Sequence, residues 1–247
     1  MNKLSGRDVL RAEIYALWAT ATPRVLLGSS IVMAAISAVA NLSAVDDLAD
    51  DDILALAMHA STVATMIFSV VAGLVSTTAG FRYGSIDQRL LTSPTRTIPF
   101  AAKVVGSAFT GLVFGAVGAA TAVVVTAAYF SANDVDFDAS SPLVVNAVLG
   151  ILLAAPLYAV GGSAIGFMAR SQPLAIGGTL AWLMVVEPPL IIGLPEVGKW
   201  LPGATGVALT NSPDPGLLGQ VSGGLVLALF VSFVVGLAVS RFSVSDV

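Results

Sequence analysis

Few side chains in this sequence have the types and neighbours that chemistry requires. His59 is its one histidine and there is no cysteine, so metal sites built on His or Cys clusters are excluded in practice. His59 lies inside an apolar run, where it reads as an interfacial or bundle hydrogen-bonding residue rather than a proton relay. Glu187 is the most informative single position, because a carboxylate in an apolar stretch is costly and therefore a functional candidate. With Pro188 and Pro189 it has two readings, an outer gate of a pathway or a cap on the short helix that follows. The run from Gly193 to Trp200 has the spacing of a phosphate-binding P-loop until its last position, where Trp200 stands in place of the Ser or Thr that would hold magnesium. That near-match is read as chance. No catalytic residue, metal site or cofactor is expected in this chain.

The elements that would position these residues follow from composition. Charged residues make up 11% of the chain and hydrophobic residues 56%, whereas a globular chain is about 25% charged. So little charge cannot cover a soluble surface. The apolar residues also come in blocks, and a span needs roughly 20 of them to cross about 30 Å of hydrocarbon. Val25–Val45, Ile53–Phe81, Val104–Asn133, Ala139–Ala169 and Pro215–Ser240 hold no Lys, Arg, Asp or Glu, and Ser171–Pro195 holds Glu187 alone in its apolar part. Each run is long enough to satisfy its own backbone hydrogen bonds as a helix. The short alternating segments of a membrane barrel are absent. The expected spans are about 25–45, 55–79, 104–130, 143–169, 173–188 and 218–240.

Charge sets the expected orientation. Lys3, Arg7, Arg11 and Arg24 precede the first span; Arg82, Arg89, Arg96 and Lys103 separate the second from the third. Arg170 follows the fourth and Arg241 the sixth, so with both chain ends in the cytoplasm only Lys199 breaks the positive-inside rule. Asp46, Asp47, Asp50, Asp51, Asp52, Asp134, Asp136 and Asp138 fall in the outer loops. A solvated loop is the plain reading of them, and attraction of cationic substrates the other. Ala38-Val39-Ala40 imitates a signal-peptidase site, but the 24-residue basic leader is long for one, so a retained helix is expected. The net charge of −4 comes largely from the outer loops and implies neither a basic partner nor nucleic acid.

Three connecting segments carry further expectations. Leu4, Val9, Leu10, Ile14, Leu17 and Trp18 recur at helical spacing among Arg7, Asp8, Arg11 and Glu13, which predicts an amphipathic helix over 1–22 in the membrane interface. Between spans two and three, Ser85 and Gln88 have capping-box spacing and Ser93-Pro94 would end a short helix. Ile86, Leu90 and Leu91 would share its apolar face, suited to a partner's groove; the plainer alternative is a basic connector. After span five, Glu187-Pro188-Pro189 is expected to interrupt the helix. Apolar residues mixed with prolines and glycines over 189–207 then predict short helices re-entering the outer leaflet. Ser107, Gly111 and Gly115, and Gly162 and Gly166, are spaced for close helix approach, within one subunit or across a dimer.

At this point the sequence resembles the permease subunits of type-2 ABC exporters. Phe81-Arg82-Tyr83-Gly84-Ser85-Ile86, then Leu90-Leu91-Thr92-Ser93-Pro94-Thr95-Arg96 and Ala101-Ala102-Lys103, are similar to that family's segment between spans two and three. Ala181–Pro188 and Lys199–Ala204 are similar to the segment after span five in one bacterial branch, and Arg11-Ala12-Glu13 is a weaker likeness. The strong stretches cover roughly 76–112 and 178–208. Gly80 departs from the acidic residue that many relatives carry there, which removes any salt bridge made from that position.

The resemblance implies an all-α polytopic permease with six transmembrane helices, a connecting helix over 5–20 and re-entrant outer helices over 188–207. It implies a coupling helix over 82–94, where Arg82, Tyr83, Gly84, Ser85, Ile86, Arg89, Leu90, Leu91, Ser93 and Pro94, with Arg96 just beyond it, touch a separate cytoplasmic ABC ATPase. It also implies a homodimer of permease subunits in the bilayer, with ATP and magnesium held by the ATPase and with export of drugs, peptide antibiotics or lipid-like molecules. Other readings compete. An ion-coupled secondary transporter would want ionisable residues at mid-membrane, where only His59 and Glu187 offer themselves. An intramembrane enzyme would want a cluster of them, and a membrane accessory or immunity protein would need none.

Overall fold

A computed structural model describes residues 15, 20–44, 51–82, 97–210 and 216–244 of the chain. The described residues are helical with short connections and contain no strand. Long helices run over α1 (Ala21–Leu42), α2 (Asp51–Arg82), α3 (Thr97–Ala132) and α4 (Pro142–Ala169). A composite helix follows, made of α5 (Gln172–Ala181), a π-turn at Trp182–Val186 and α6 (Glu187–Gly193). Two short helices, α7 (Pro195–Gly198) and α8 (Pro202–Ala208), lead to α9 (Gln220–Val244). Six stretches are long and apolar enough to cross a bilayer: α1, α2, α3, α4, the composite helix and α9. The protein is therefore a multi-pass membrane protein. All six expected spans are present.

α2 and α3 outrun the apolar blocks that foretold them. α2 reaches back to Asp51 and on to Arg82, and α3 begins at Thr97 rather than near 104. Hydropathy marks where lipid begins, whereas a helix continues past it for as long as its backbone bonds can be made. The helices alternate in direction, so the bundle has a basic end, with Arg24, Arg82, Lys103, Arg170 and Arg241, and an acidic end, with Asp51, Asp134, Asp136, Asp138 and Glu196.

Turn chemistry at the acidic end fixes the entry to α4. Asp138 Oδ1 accepts from the Ser140 hydroxyl at 2.6 Å and the Ser140 N–H at 2.8 Å. Those two bonds hold the exposed Asp138 carboxyl below the ordinary carboxylate range. Ser141 then caps α4 by accepting from Val144 N–H at 3.4 Å, and Pro142 occupies the first turn, where its missing donor costs nothing. At the other end Arg170, at φ 51°, turns the chain and donates its N–H to the Gly166 carbonyl. Arg170 and Ser171 are the whole connection to α5.

The core is the packing of α2 on α4, with α1 and α3 completing the layer. On α2, Ser61, Thr65, Ser69, Gly73 and Thr77 recur every four residues and form one stripe. The stripe brings the backbones into contact. A Cβ on Gly73 would run into the Ala159 carbonyl, and one on Gly162 into the Val70 carbonyl. Gly111 and Gly115 meet Pro156, Ala155 and Ile151 of α4 in the same way, and Gly166 meets Thr77. The small residues singled out by spacing on α3 and α4 thus pack within one subunit. Hydroxyls bridge the seam: Ser69 donates to Ala155 O at 2.8 Å, and Thr77 and Ser163 share a 2.8 Å bond, while Ser61 donates to Ala34 O of α1 at 3.1 Å. Such bonds average about 0.6 kcal/mol in membrane proteins, so the close packing they accompany carries more of the stability.

One expectation is corrected. Glu187-Pro188-Pro189 does not break span five, which stays helical to Gly193. The irregularity lies upstream, in the π-turn, where the Glu187 N–H reaches five residues back to the Trp182 carbonyl. A proline ring clashes with the carbonyl four residues before it, and a widened turn is the standard relief. The expected interfacial helix over 1–22 lies outside the described residues apart from Tyr15 and residues 20–22, of which the last two already belong to α1. Of the 82–94 segment only Arg82 is described, in the last turn of α2.

Candidate functional site

The strongest constellation is built around Glu187. The π-turn rotates the start of α6 so that this side chain points inward, leaving it 1% exposed. Its Oε1 accepts from Gly203 N–H at 2.5 Å and from Ala204 N–H at 3.2 Å. These belong to the first turn of α8, whose donors have no partner inside their own helix. A carboxylate there completes the hydrogen bonding and meets the positive end of the helix dipole. Oε2 is buried as well. Of the two readings of Glu187, the structure displays the cap, on α8 rather than on the nearer α7. Gly203 leaves room for the carboxylate, since a Cβ would sit 2.7 Å from Oε1. Pro188 is half-buried and Pro189 exposed beside it, in the first turn of α6.

Tyr158 fixes the depth of α8. Its hydroxyl donates to the Pro202 carbonyl at 2.6 Å, and its ring lies against Gly206. Tyr158 stands on α4 roughly 24 Å from the acidic end and ~16 Å from the basic end, at ~1.5 Å per residue. The N-terminus of α8 is therefore near the middle of the bundle. From there α8 climbs back, with Leu209 and Thr210 against Gly150, and Gln220 donates to the carbonyls of Asn146 and Leu209 at 2.9 and 2.8 Å. α8 is thus a re-entrant helix, as its mixture of apolar residues, prolines and glycines foretold. Outside it, Lys199 pairs with exposed Glu196 at 2.5 Å and holds that carboxyl below the ordinary carboxylate range.

A cavity of about 440 Å³ lies beneath this cap, between α4, α5, α9 and one residue of α2. Leu157, Ile165, Leu183, Leu227 and Val231 give it an almost wholly apolar lining, and Pro202 closes its top. Glu187 and His59 do not line it. His59 is half-buried on α2 near the acidic end.

At the basic end Phe81, Phe100 and Phe167 join α2, α3 and α4, with ring centroids 5.8 Å apart for Phe81–Phe167 and 4.6 Å for Phe100–Phe167. The Arg170 guanidinium lies over the Phe81 ring at 5.8 Å, within cation–π range. This cluster seats the end of α2, and hence Arg82. The remaining coupling candidates, Tyr83, Gly84, Ser85, Ile86, Arg89, Leu90, Leu91, Ser93, Pro94 and Arg96, lie outside the described residues. No group of His, Cys, Asp and Glu able to hold a metal occurs among the described residues.

Sequence reasoning missed Tyr158, Gln220 and the hydroxyl stripe of α2. The four-residue recurrence of the stripe was a signal available to it. The partners of Tyr158 and Gln220 carried none, since these bonds cross between separate elements, 44 residues apart for Tyr158 and Pro202 and 74 for Gln220 and Asn146. Three comparisons, with family models, curated proteins and solved structures, found no match for the chain.

Proposed function

We propose that the chain is the membrane-spanning permease subunit of an ATP-driven ABC exporter. It would form the substrate path and leave ATP hydrolysis to a separate cytoplasmic ATPase. The observation that carries this reading is the Phe81–Arg96 segment, whose likeness to an exporter coupling segment falls on the connection leaving the basic end of α2. Its place supports the reading, because by the positive-inside rule the basic end faces the cytoplasm of a plasma or inner membrane. The six spans and the re-entrant α8 between the last two support it as well. On this reading the capped α6–α8 segment closes the outward end of the path, and a second permease subunit completes it.

Purification of the tagged protein from native membranes in mild detergent, with partners identified by mass spectrometry, tests the proposal. A near-stoichiometric partner bearing a P-loop and an ABC signature is the expected result. Recovery without an ATPase, repeated with crosslinker and nucleotide present, would overturn it and favour an ion-coupled transporter or an accessory protein. Charge reversal at Arg82 or Arg89, or Leu90→Asp, is expected to uncouple the ATPase while the protein stays in the membrane. Full ATPase binding in all three would remove the coupling assignment.

A further inference from the structure

We infer that the cavity beneath α8 is a phospholipid site, which takes one acyl chain from the leaflet at the basic end. The inference requires only a bilayer and does not rest on the exporter reading. Three features converge on this occupant.

The first is length. Along α4 the lining runs from Leu157 to Ala169, about 18 Å at ~1.5 Å per residue. One leaflet contributes about 15 Å of hydrocarbon, half of a ~30 Å core. The groove thus begins at the basic end and stops near the bilayer middle, under Pro202. The second is chemistry. The Tyr158 hydroxyl is taken by the Pro202 carbonyl, and the Thr179 hydroxyl and the Trp182 indole N–H are the other side-chain polar groups of the lining. Water would find almost no partners, while an alkyl chain gains contact along the whole groove. The third is charge. Ala169 lines the groove at its open end and Arg170 is the next residue. A chain inserted from that end leaves its phosphate at the level of the guanidinium that lies over the Phe81 ring.

The groove exists because side chains are missing where span five faces the bundle. A Cβ added at Gly178 would meet nothing within 4 Å, and one at Gly161 would make only an ordinary 3.6 Å contact with Val231. Neither position has backbone within 4 Å of an added Cβ, which gives a test that does not depend on damaging the fold.

Native mass spectrometry of the full chain, released from nanodiscs of palmitoyl-oleoyl phosphatidylglycerol and washed with delipidating detergent, reads lipid retention directly. The wild type is expected to keep one phospholipid per chain. Gly178→Leu with Gly161→Val should lower that occupancy at least tenfold, while elution volume and thermal midpoint stay near wild type. Arg170→Gln should lower it severalfold with the groove left open. Equal retention in wild type and the double variant, or no lipid retained by the wild type, overturns the inference.

Discussion

The contact of α2 with α4 and the seat of span five are built on opposite plans. In the span window of α2, 61% of residues are buried, against 11% for span five, so one is a packed pillar and the other is mostly exposed. Glycines show the same contrast. On the α2–α4 seam they are filled from across the interface by carbonyls and side chains, whereas Gly177 and Gly178 of α5 face open space. Lipid tails are as apolar as Leu, so in a bilayer a helix is held by close approach and by polar contacts rather than by hydrophobic drive. Span five has little close approach, and its polar anchor is Glu187. The α2–α4 core is locked by backbone contact, while span five is joined to α8 through the Glu187 cap.

The sharpest way to break this contrast is to place the same side chain in both regions. Gly73→Leu or Gly162→Leu is expected to prevent folding outright, giving aggregated protein on size exclusion, because the new Cβ meets backbone that cannot withdraw. Gly178→Leu alone should elute as wild type. Equal behaviour of the two would show that the seam is softer than its contacts indicate.

Removing the anchor has the next largest effect. Glu187→Ala strands two N–H groups of α8 inside the membrane and should cost about 1–3 kcal/mol, seen as a lowered thermal midpoint in detergent and faster exchange at Gly203 and Ala204. Glu187→Gln keeps an acceptor and should recover most of the loss. Tyr158→Phe removes a single bond to α8 and should cost about 1 kcal/mol, with exchange rising in α8 but not in α2. Lys199→Gln is expected to leave the midpoint unchanged, since its partner Glu196 is fully in solvent. The sign of the pH dependence there is fixed even so. The Glu196 carboxyl is held low, so what the pair contributes is present at neutral pH and is lost as pH falls through the depressed value.

What the sequence revealed divides along the same line. The six spans were legible because a charge-free run of some twenty residues has one common use. Gly111, Gly115, Gly162 and Gly166 were legible as close-approach positions, and the structure chooses packing within the subunit. The stripe of Ser61, Thr65, Ser69 and Thr77 passed unseen because Ser and Thr read as neutral in a hydropathy average, although their four-residue spacing matches that of Gly162 and Gly166. Around Glu187 the sequence offered a gate or a cap with nothing to rank them. The deciding contact joins it to Gly203, and a pairing that distant leaves no local periodicity. Pro188 and Pro189 misled for a different reason. Proline disturbs the turn before it, so the irregularity falls at Trp182–Val186, where the sequence holds only good membrane residues.

The hydroxyl bonds of α2 also have a bearing on how the protein is made. Thr62, Thr65 and Thr78 donate to carbonyls four residues back on their own helix, so those bonds can close as soon as α2 has formed. Ser69 and Thr77 bond to residues 86 positions further along. At about 5–20 residues per second, a ribosome needs roughly 4–17 s to supply them. Through that interval the newly inserted α2 carries its glycine notch open, with Ser69 and Thr77 still lacking the partners they will keep. α4 is then the helix that locks it, and a chain truncated before Ala155 should leave α2 open to capture by insertion chaperones or membrane proteases.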